Sequence, residues 1–276
     1  MRIRDYSLPA GWFPRDSASV SAFLSEFKNL KKESRAAVSP HAGWYYSGRV
    51  AARAAASLRA DARTIVVIGG HLRAGSPPLF AMEDAVKTPF GSIPVDKELR
   101  LALVDKLSGK EDRYRDNTIE VLLPMVHYFF PDAELIWLRL AADEKSYEAG
   151  KIISRAAKEL NRVVNVLAST DLTHYGANYG FSPMGGGKAA LKWTREVNDA
   201  AFINAVVSGD EAQTLRRADE ENSSCSAGAV LGAMGFAKAE NLGNARLLEY
   251  ATSADAGTDG AIPDSFVGYA ALAWDA

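Results

Sequence analysis

Residues 64–71 read Thr64-Ile65-Val66-Val67-Ile68-Gly69-Gly70-His71: a short β-branched run, two glycines, then an imidazole. A continuous apolar run of this length, closed by glycine, reads as a strand buried on both faces, the habit of a parallel sheet covered by helices. Two further histidines occupy the same kind of place. His41 follows Ala36-Ala37-Val38-Ser39-Pro40, and His174 follows Val166-Leu167-Ala168-Ser169-Thr170-Asp171 by a few residues. In open α/β sheets ligands bind at the carboxyl ends of strands, so separate strands can bring His41, His71 and His174 into one crevice whatever their sequence distance. The chain has 4 histidines. The remaining one, His127, lies within a helical pattern and reads as a structural or surface residue.

Working outward, strand-like and helix-like stretches alternate. A helix is expected over Val50 to Leu58, and a hairpin around Thr88-Pro89-Phe90-Gly91. Asp96 is placed to cap a helix from Lys97 to Leu107, and Asn117 with Glu120 resembles a capping box opening a helix to Phe130. Leu135-Ile136-Trp137-Leu138 and Val163-Val164-Asn165-Val166-Leu167 read as buried strands around a helix from Tyr147 to Leu160. Helices near 188–207 and 225–239 and strands near 245–252 and 266–274 complete the pattern. The expectation is an α/β fold with a central, mostly parallel or mixed sheet flanked by helices. There is no internal repeat, low-complexity tract or long linker, so residues 1–276 are expected to form a single domain, with Gly185-Gly186-Gly187 a flexible spot.

The 276 residues are 47% apolar and 24% charged, with a formal net charge of -2. That balance lacks the basic footprint of sequence-independent nucleic-acid binding. No apolar stretch approaches the ~20 residues that span a bilayer, and the start, MRIRDYSLPAG, lacks a signal peptide's apolar core. A cytoplasmic location with no membrane and no nucleic-acid partner is expected. The count of 1 cysteine excludes an internal disulfide and any CxxC motif.

That cysteine, Cys225, stands in Asn222-Ser223-Ser224-Cys225-Ser226-Ala227-Gly228-Ala229-Val230, hydroxyl residues followed by a small-residue helix that must pack closely. At a helix N-terminus the backbone N–H groups favour the thiolate, the form that ligates metal. Together with strand-end imidazoles it offers a mixed nitrogen and sulfur donor set suited to iron, copper or zinc, with open coordination positions as in reactive sites. Asp171 and His174 are three apart, so a helical turn would put both on one face as a carboxylate–imidazole pair for acid–base work. Other chemistries fit poorly. Ser169 or Ser47 could serve as a hydrolase nucleophile, but no G-x-S-x-G elbow exists. Gly185-Gly186-Gly187-Lys188 fails as a phosphate loop because Ser182 and Ala189 occupy required positions, and no G-x-G-x-x-G follows a strand.

Four segments carry a resemblance: Arg35-Ala36-Ala37-Val38-Ser39-Pro40-His41-Ala42-Gly43-Trp44-Tyr45-Tyr46-Ser47-Gly48, Thr88-Pro89-Phe90-Gly91, Thr118-Ile119-Glu120-Val121-Leu122-Leu123-Pro124, and Ser169-Thr170-Asp171-Leu172-Thr173-His174-Tyr175-Gly176. The chain resembles the Memo family over nearly its whole length, from Ala10-Gly11-Trp12-Phe13-Pro14 to Cys225 and its helix. The resemblance implies a fold similar to class III, LigB-type extradiol dioxygenases, which hold non-haem iron at the strand ends of an α/β sheet. It further implies that His41, His71 and Cys225 match metal-binding positions and that Asp171 and His174 match pocket residues. Bacterial and archaeal members are known as the B component of the AmmeMemoRadiSam system, which implies AMMECR1-type and radical-SAM-type partners.

The chain departs from that pattern in three places. Asn117 stands where the family commonly has a histidine, and asparagine cannot exchange protons near neutral pH. The usual glycine after the cysteine is Ser226, and the loop after His71 is Leu72-Arg73-Ala74-Gly75. Three readings stay open. The first is a non-haem metal-dependent redox enzyme, dioxygenase-like, holding a divalent transition metal (iron or copper, with zinc as the further option) through His41, His71 and Cys225, with His174 taking a proton from a small-molecule substrate and Asp171 orienting it. The second is a non-catalytic binding or adaptor protein that captures a peptide or partner in the same crevice, beside Trp44-Tyr45-Tyr46. The third is a zinc hydrolase with Asp171 or Glu120 as base.

Overall fold

The run at 64–68 lies in the middle of a mixed sheet. The structure, a computed structural model, describes residues 1–257 and 261–276. In chain order its elements are β1 (Ile3–Arg4), α1 (Ser17–Leu24), β2 (Ser34–Ser39), α2 (Trp44–Ser57), β3 (Thr64–Leu72), β4 (Leu79–Phe80), β5 (Ala85–Thr88), β6 (Gly91–Pro94), α3 (Lys97–Lys106) and β7 (Lys110–Glu111). There follow α4 (Asn117–Glu120), α5 (Leu123–Phe129), β8 (Glu134–Ala141), α6 (Lys145–Glu159), β9 (Val164–Ser169), β10 (His174–Gly176), α7 (Gly187–Trp193), α8 (Asp199–Ser208), α9 (Glu211–Glu220), α10 (Ala227–Ala239), β11 (Arg246–Thr252) and β12 (Ser265–Asp275). The large sheet runs β10-β12-β2-β9-β3-β8-β4-β7, with β11 also on β12. Its centre is parallel: β9 pairs with both β2 and β3, and β3 with β8, while β12 is antiparallel to β2. A three-stranded sheet, β1-β5-β6, stands apart. This is the α/β, mixed-sheet architecture that the sequence pattern predicts.

Alternation along the strands sends side chains to two separate cores. Ile65 and Val67 of β3 join the cluster with Val20, Leu24, Ala51, Ala55 and Met125, so one face is covered by α1, α2 and α5. Val66 and Ile68 join Leu99, Ile153, Phe202 and Val230, so the other is covered by α3, α6, α8 and α10. That double burial is why these strands read as unbroken apolar runs.

The small-residue character of α10 has a structural cause. A Cβ on Gly228 would strike the carbonyl of Ala141, one on Gly235 the carbonyl of Tyr147, and one on Gly150 of α6 the carbonyl of Gly232. The helix therefore lies against α6 and the end of β8 at backbone distance, which fixes where Cys225, two residues before α10, can reach.

Several boundaries differ from expectation for identifiable reasons. α2 begins at Trp44, well before Val50, because Gly43 serves as its N-cap and releases the chain directly into a helix. The helix expected from Asn117 to Phe130 is two pieces: Pro124, near the start of α5, has no N–H to continue the ladder from α4. The cap of α4 is Asp116, whose carboxylate accepts from Thr118 N, and Glu120 does not close a box. Glu120 instead accepts hydrogen bonds from the backbone of Ser7 and Leu8, tying the N-terminal segment down. The stretch near 188–207 is interrupted by a π-helical turn at Thr194–Asn198. No helix among the described residues is long and apolar enough to cross a membrane.

Candidate metal centre

The parallel order β2-β9-β3 sets the carboxyl ends of three strands side by side. Ser39 of β2 is in register with Ser169 of β9, and Ala168 of β9 with Ile68 of β3. His41 leaves the first strand, His71 is the next-to-last residue of the third, and Ser169 with Asp171 comes at the end of the strand between them. Cys225 arrives from the opposite side, held by its own N–H to the carbonyl of Asp171 at 3.2 Å. One ligand atom from each of His41, His71 and Cys225 lies within 4.8 Å of the other two. The rings of His41 and His71 stand edge to face, 5.0 Å between centroids at 88°.

Both imidazoles have one nitrogen occupied and one turned to the thiol. His41 Nδ1 shares a hydrogen bond with Ser169 Oγ at 2.7 Å, leaving Nε2 at 3.3 Å from Cys225 Sγ. His71 Nδ1 pairs with Asp116 Oδ2 at 3.1 Å, leaving its Nε2 for the shared space. A protein group on the far nitrogen is what fixes ring orientation in metal sites. With metal–nitrogen and metal–sulfur bonds of about 2.0–2.3 Å, neighbouring donors of a tetrahedral ion stand about 3.3–3.8 Å apart. The His41–Cys225 separation falls in that range, and the donor set is that of a borderline-soft transition metal.

Electrostatics favours the ligating form of sulfur. Burial alone would push the Cys225 thiol up, but the imidazoles of His41 and His71 hold it well below the usual thiol range. Burial resists charge on His41, yet Asp171 and the Cys225 sulfur overcome it and raise that ring's pKa. His71 likewise resists by burial and is carried to about 10 by Asp116 and Cys225. Asp116, despite burial, is held down to about 2 by His71, Thr118 and Arg139. These directions favour the thiolate beside imidazoles that hold protons more tightly than usual, and a divalent cation can take the protons' place with charge of the same sign.

Asp171 and His174 border the cluster, but not as the expected pair. The chain leaving β9 stays extended, and at His174 it joins β12 as β10, so the two residues share no helical face. Asp171 accepts the backbone N–H of His41 at 2.7 Å, and its other oxygen lies 3.9 Å from His41 Nε2. Burial and the nearby sulfur push its carboxyl up, against the pull of His41. His174 Nδ1 lies 3.0 Å from the carbonyl of Leu172; a carbonyl can only accept, so Nδ1 is the donor and Nε2 is the ring nitrogen this bond leaves unengaged. Its ring meets Tyr179 edge-on, 4.9 Å between centroids. Asn117 Nδ2 donates to the carbonyl of His41 at 3.0 Å.

The remaining candidates sit elsewhere. His127 shares a hydrogen bond with Thr88 Oγ1 at 2.6 Å and bolts the β5–β6 hairpin to α5. Trp44 is buried with Nε1 donating to the carbonyl of Val121 at 2.9 Å, whereas Tyr45 and Tyr46 are exposed. Glu120, tied to the N-terminal segment, takes no part in the cluster. Sequence reasoning did not find Asp116, Arg139 or the orienting role of Ser169. An acid in front of a helix start was the visible signal for Asp116, and it reads equally as an ordinary cap.

Two glycines make the geometry attainable. A Cβ on Gly69 would collide with Thr118, and one on Gly70 would stand 2.5 Å from Ser226 Oγ and 2.9 Å from Ser226 Cα. The strand end therefore approaches both the α4 cap and the cysteine loop more closely than any side chain permits.

Comparison with known proteins agrees with the resemblance read from the motifs. A MEMO1 family protein of Pyrococcus horikoshii is 31% identical over 98% of this chain and 99% of its own. One of Methanococcoides burtonii is 32% identical over 86% of this chain and 84% of its own. A solved structure of an uncharacterized protein from Escherichia coli K12 overlaps at a TM-score of 0.49 with 11% identity, covering 86% of this chain and 98% of that one. The family described as Memo-like protein matches residues 4–273, and the chain belongs to it.

Proposed function

We propose that this chain is a metal-dependent redox protein that holds one divalent transition metal through His41 Nε2, His71 Nε2 and Cys225 Sγ and acts on a small oxygen-bearing substrate in the crevice beside it. The observation that supports the reading is the convergence of these three donors within 4.8 Å, each imidazole carrying a protein partner on its other nitrogen. When bound, the metal would supply Lewis-acid and one-electron chemistry to a substrate oxygen. The rest falls to the chain's own groups. His174 Nε2 takes a proton from the substrate hydroxyl, and the Leu172 carbonyl holds the ring for that task. Asp171 fixes the His41 backbone and sets the charge beside the ring's Nε2. Iron or copper is the expected ion, with zinc the alternative, since a thiolate softens the site relative to the two-histidine, one-carboxylate set of non-haem oxygenases.

The test is elemental analysis of protein purified without chelator or nickel, alone and as Cys225→Ala and His41→Ala. Near-stoichiometric iron or copper that vanishes in both variants supports the reading, and metal-dependent oxygen uptake with catechols or thiols then identifies the reaction class; zinc that vanishes in both supports the same ligands but, having no redox chemistry, turns the reading to a zinc hydrolase. Metal retained in both variants, or none after anaerobic reconstitution, overturns it. The rival reading, capture of a peptide or partner protein, draws on the exposed Tyr45 and Tyr46 on the first turn of α2, and predicts binding that survives loss of Cys225.

A further inference from the structure

His71 is the weakest point of the cluster by its own geometry. Its backbone has φ +56, a left-handed conformation that β-carbon-bearing residues adopt at a cost and keep only when neighbours enforce it. Its side chain is 34% exposed, where His41 is fully enclosed. Nothing in the local sequence holds such a ring still. The enforcement comes from β8. Arg139, opposite Gly69 in the β3–β8 register, is buried and extends its guanidinium along the end of β3. Nε donates to the carbonyl of Gly70 at 2.9 Å, and Nη2 stands 3.2 Å from Asp116 Oδ2, the same oxygen that meets His71 Nδ1. Nη1 reaches Asp112 Oδ1 at 3.3 Å, and Asp112 is itself pinned by Trp137 Nε1 at 2.9 Å. Asp116 uses its other oxygen to cap α4 through Thr118 N at 2.9 Å.

We infer that Arg139 is a positioning residue for His71: it grips the carbonyl just before His71 and, through Asp116, the ring just beyond it, so the strained backbone and the ligating nitrogen are set by one planar fork. This rests on the metal-binding reading above. Only a guanidinium supplies donors in three directions from one rigid plane, so Arg139→Lys keeps the charge against Asp112 and Asp116 but cannot hold both points.

The test uses cobalt(II) as probe on the full chain. The unaltered chain should bind cobalt with a sulfur-to-metal charge-transfer band that Cys225→Ala abolishes. Arg139→Lys and Asp116→Asn should keep that band, because Cys225 and His41 still ligate, but bind cobalt at least 10-fold more weakly and show altered visible d–d bands as His71 drops out. Thermal melts of the metal-free variants identify a loss caused by unfolding. Asp116→Asn, which preserves shape, keeps the idea testable if the arginine variant folds poorly. Cobalt affinity and d–d bands unchanged in both folded variants overturn the role of Arg139 while leaving the metal reading intact. An unaltered chain that takes up no cobalt, or takes it up without the Cys225-dependent band, overturns the reading and this inference together.

Discussion

Gly70→Ala is the substitution whose outcome depends most directly on the geometry of the centre. The added methyl would stand 2.9 Å from Ser226 Cα, and closer still to that residue's side chain, where ordinary contact begins at 3.4 Å. Neither Cα nor Cβ of Ser226 can rotate aside, so the Ser226 segment must retreat by about 1 Å or β3 must bend by as much. Overpacking of this kind costs about 1–3 kcal/mol, which for a chain of this size lowers the melting temperature by roughly 2–5 °C. The consequence for the site is larger than for the fold. Cys225 is bonded to the residue that moves, whereas ligand distances tolerate about 0.2 Å before affinity suffers. The folded variant should therefore bind cobalt or zinc at least 10-fold more weakly, measured by competition with a chromophoric chelator, alongside a melt. Gly243→Ala is the control, since nothing lies within 4 Å of its added carbon. A Gly70→Ala chain that melts and binds metal like the original would refute the claim that close approach at Gly70 sets the distance between the two arms of the site.

Other expectations concern charge and packing. Cys225 in metal-free protein should react with iodoacetamide at pH 6, where an ordinary thiol is only roughly 0.3% ionised; the His41→Ala chain should lose that reactivity, and a rate rising only above pH 8 in the unaltered protein would contradict the depressed thiol. Asp199 is fully buried, accepting from Thr173 N at 3.1 Å and Tyr250 Oη at 2.7 Å, and burial lifts its carboxyl from 3.8 to about 6 despite those bonds. Because the folded state holds this proton more tightly than the unfolded chain, its contribution is intact below pH 3.8 and is lost as pH rises through about 6, worth up to about 3 kcal/mol. Urea titrations from pH 4 to 6.5 should show the original chain losing stability relative to Asp199→Asn, and a gap that does not change with pH would count against the assignment. Trp44→Ala removes the hydrogen bond to Val121 and the ring packed 5.0 Å from Phe23, and should cost about 3–5 kcal/mol by denaturant midpoint. Metal stoichiometry of the folded Trp44→Ala fraction should be unaffected, since the hydrogen bond and ring contacts of Trp44 are with Val121, Phe13 and Phe23.

The sheet and the strand-end histidines were legible in the sequence because both are written in local pattern. Ile65-Val66-Val67-Ile68 can be buried on two faces only between helical layers, and a polar residue after such a run is by topology near a sheet's carboxyl edge. The order β2-β9-β3 was not legible, since it depends on a strand from residues 164–169 inserting between two strands that precede it. Nor was the Arg139–Asp116 fork. Arg139 directly follows the apolar β8 run Leu135-Ile136-Trp137-Leu138, where pattern alone marks it as an oddity, and its partners lie 69 residues back at Gly70 and in the cap of α4. Asp171 and His174 were misread as a helical pair because spacing of three is the helix signature. The pairing of His174 with Val267 of β12, far along the chain, overrides it.

The replacement at position 117 gains a definite meaning from the same geometry. Asn117 is no passive filler: its Nδ2 holds the carbonyl of His41, and with Asp116 it sets the start of α4 against the end of β3. It keeps a histidine's capacity to donate one hydrogen bond while giving up proton exchange. Of the 4 imidazoles, His41 and His71 have Nδ1 committed and Nε2 facing sulfur, and His127 is engaged at the β5–β6 hairpin. His174 Nε2 is thus the imidazole nitrogen not committed to a backbone carbonyl or to the Cys225 sulfur, and it approaches from the β10–β12 side. If His174 is the base proposed above, imidazole proton transfer reaches the site from the β10–β12 side, because Asn117 on the α4 side cannot exchange protons near neutral pH.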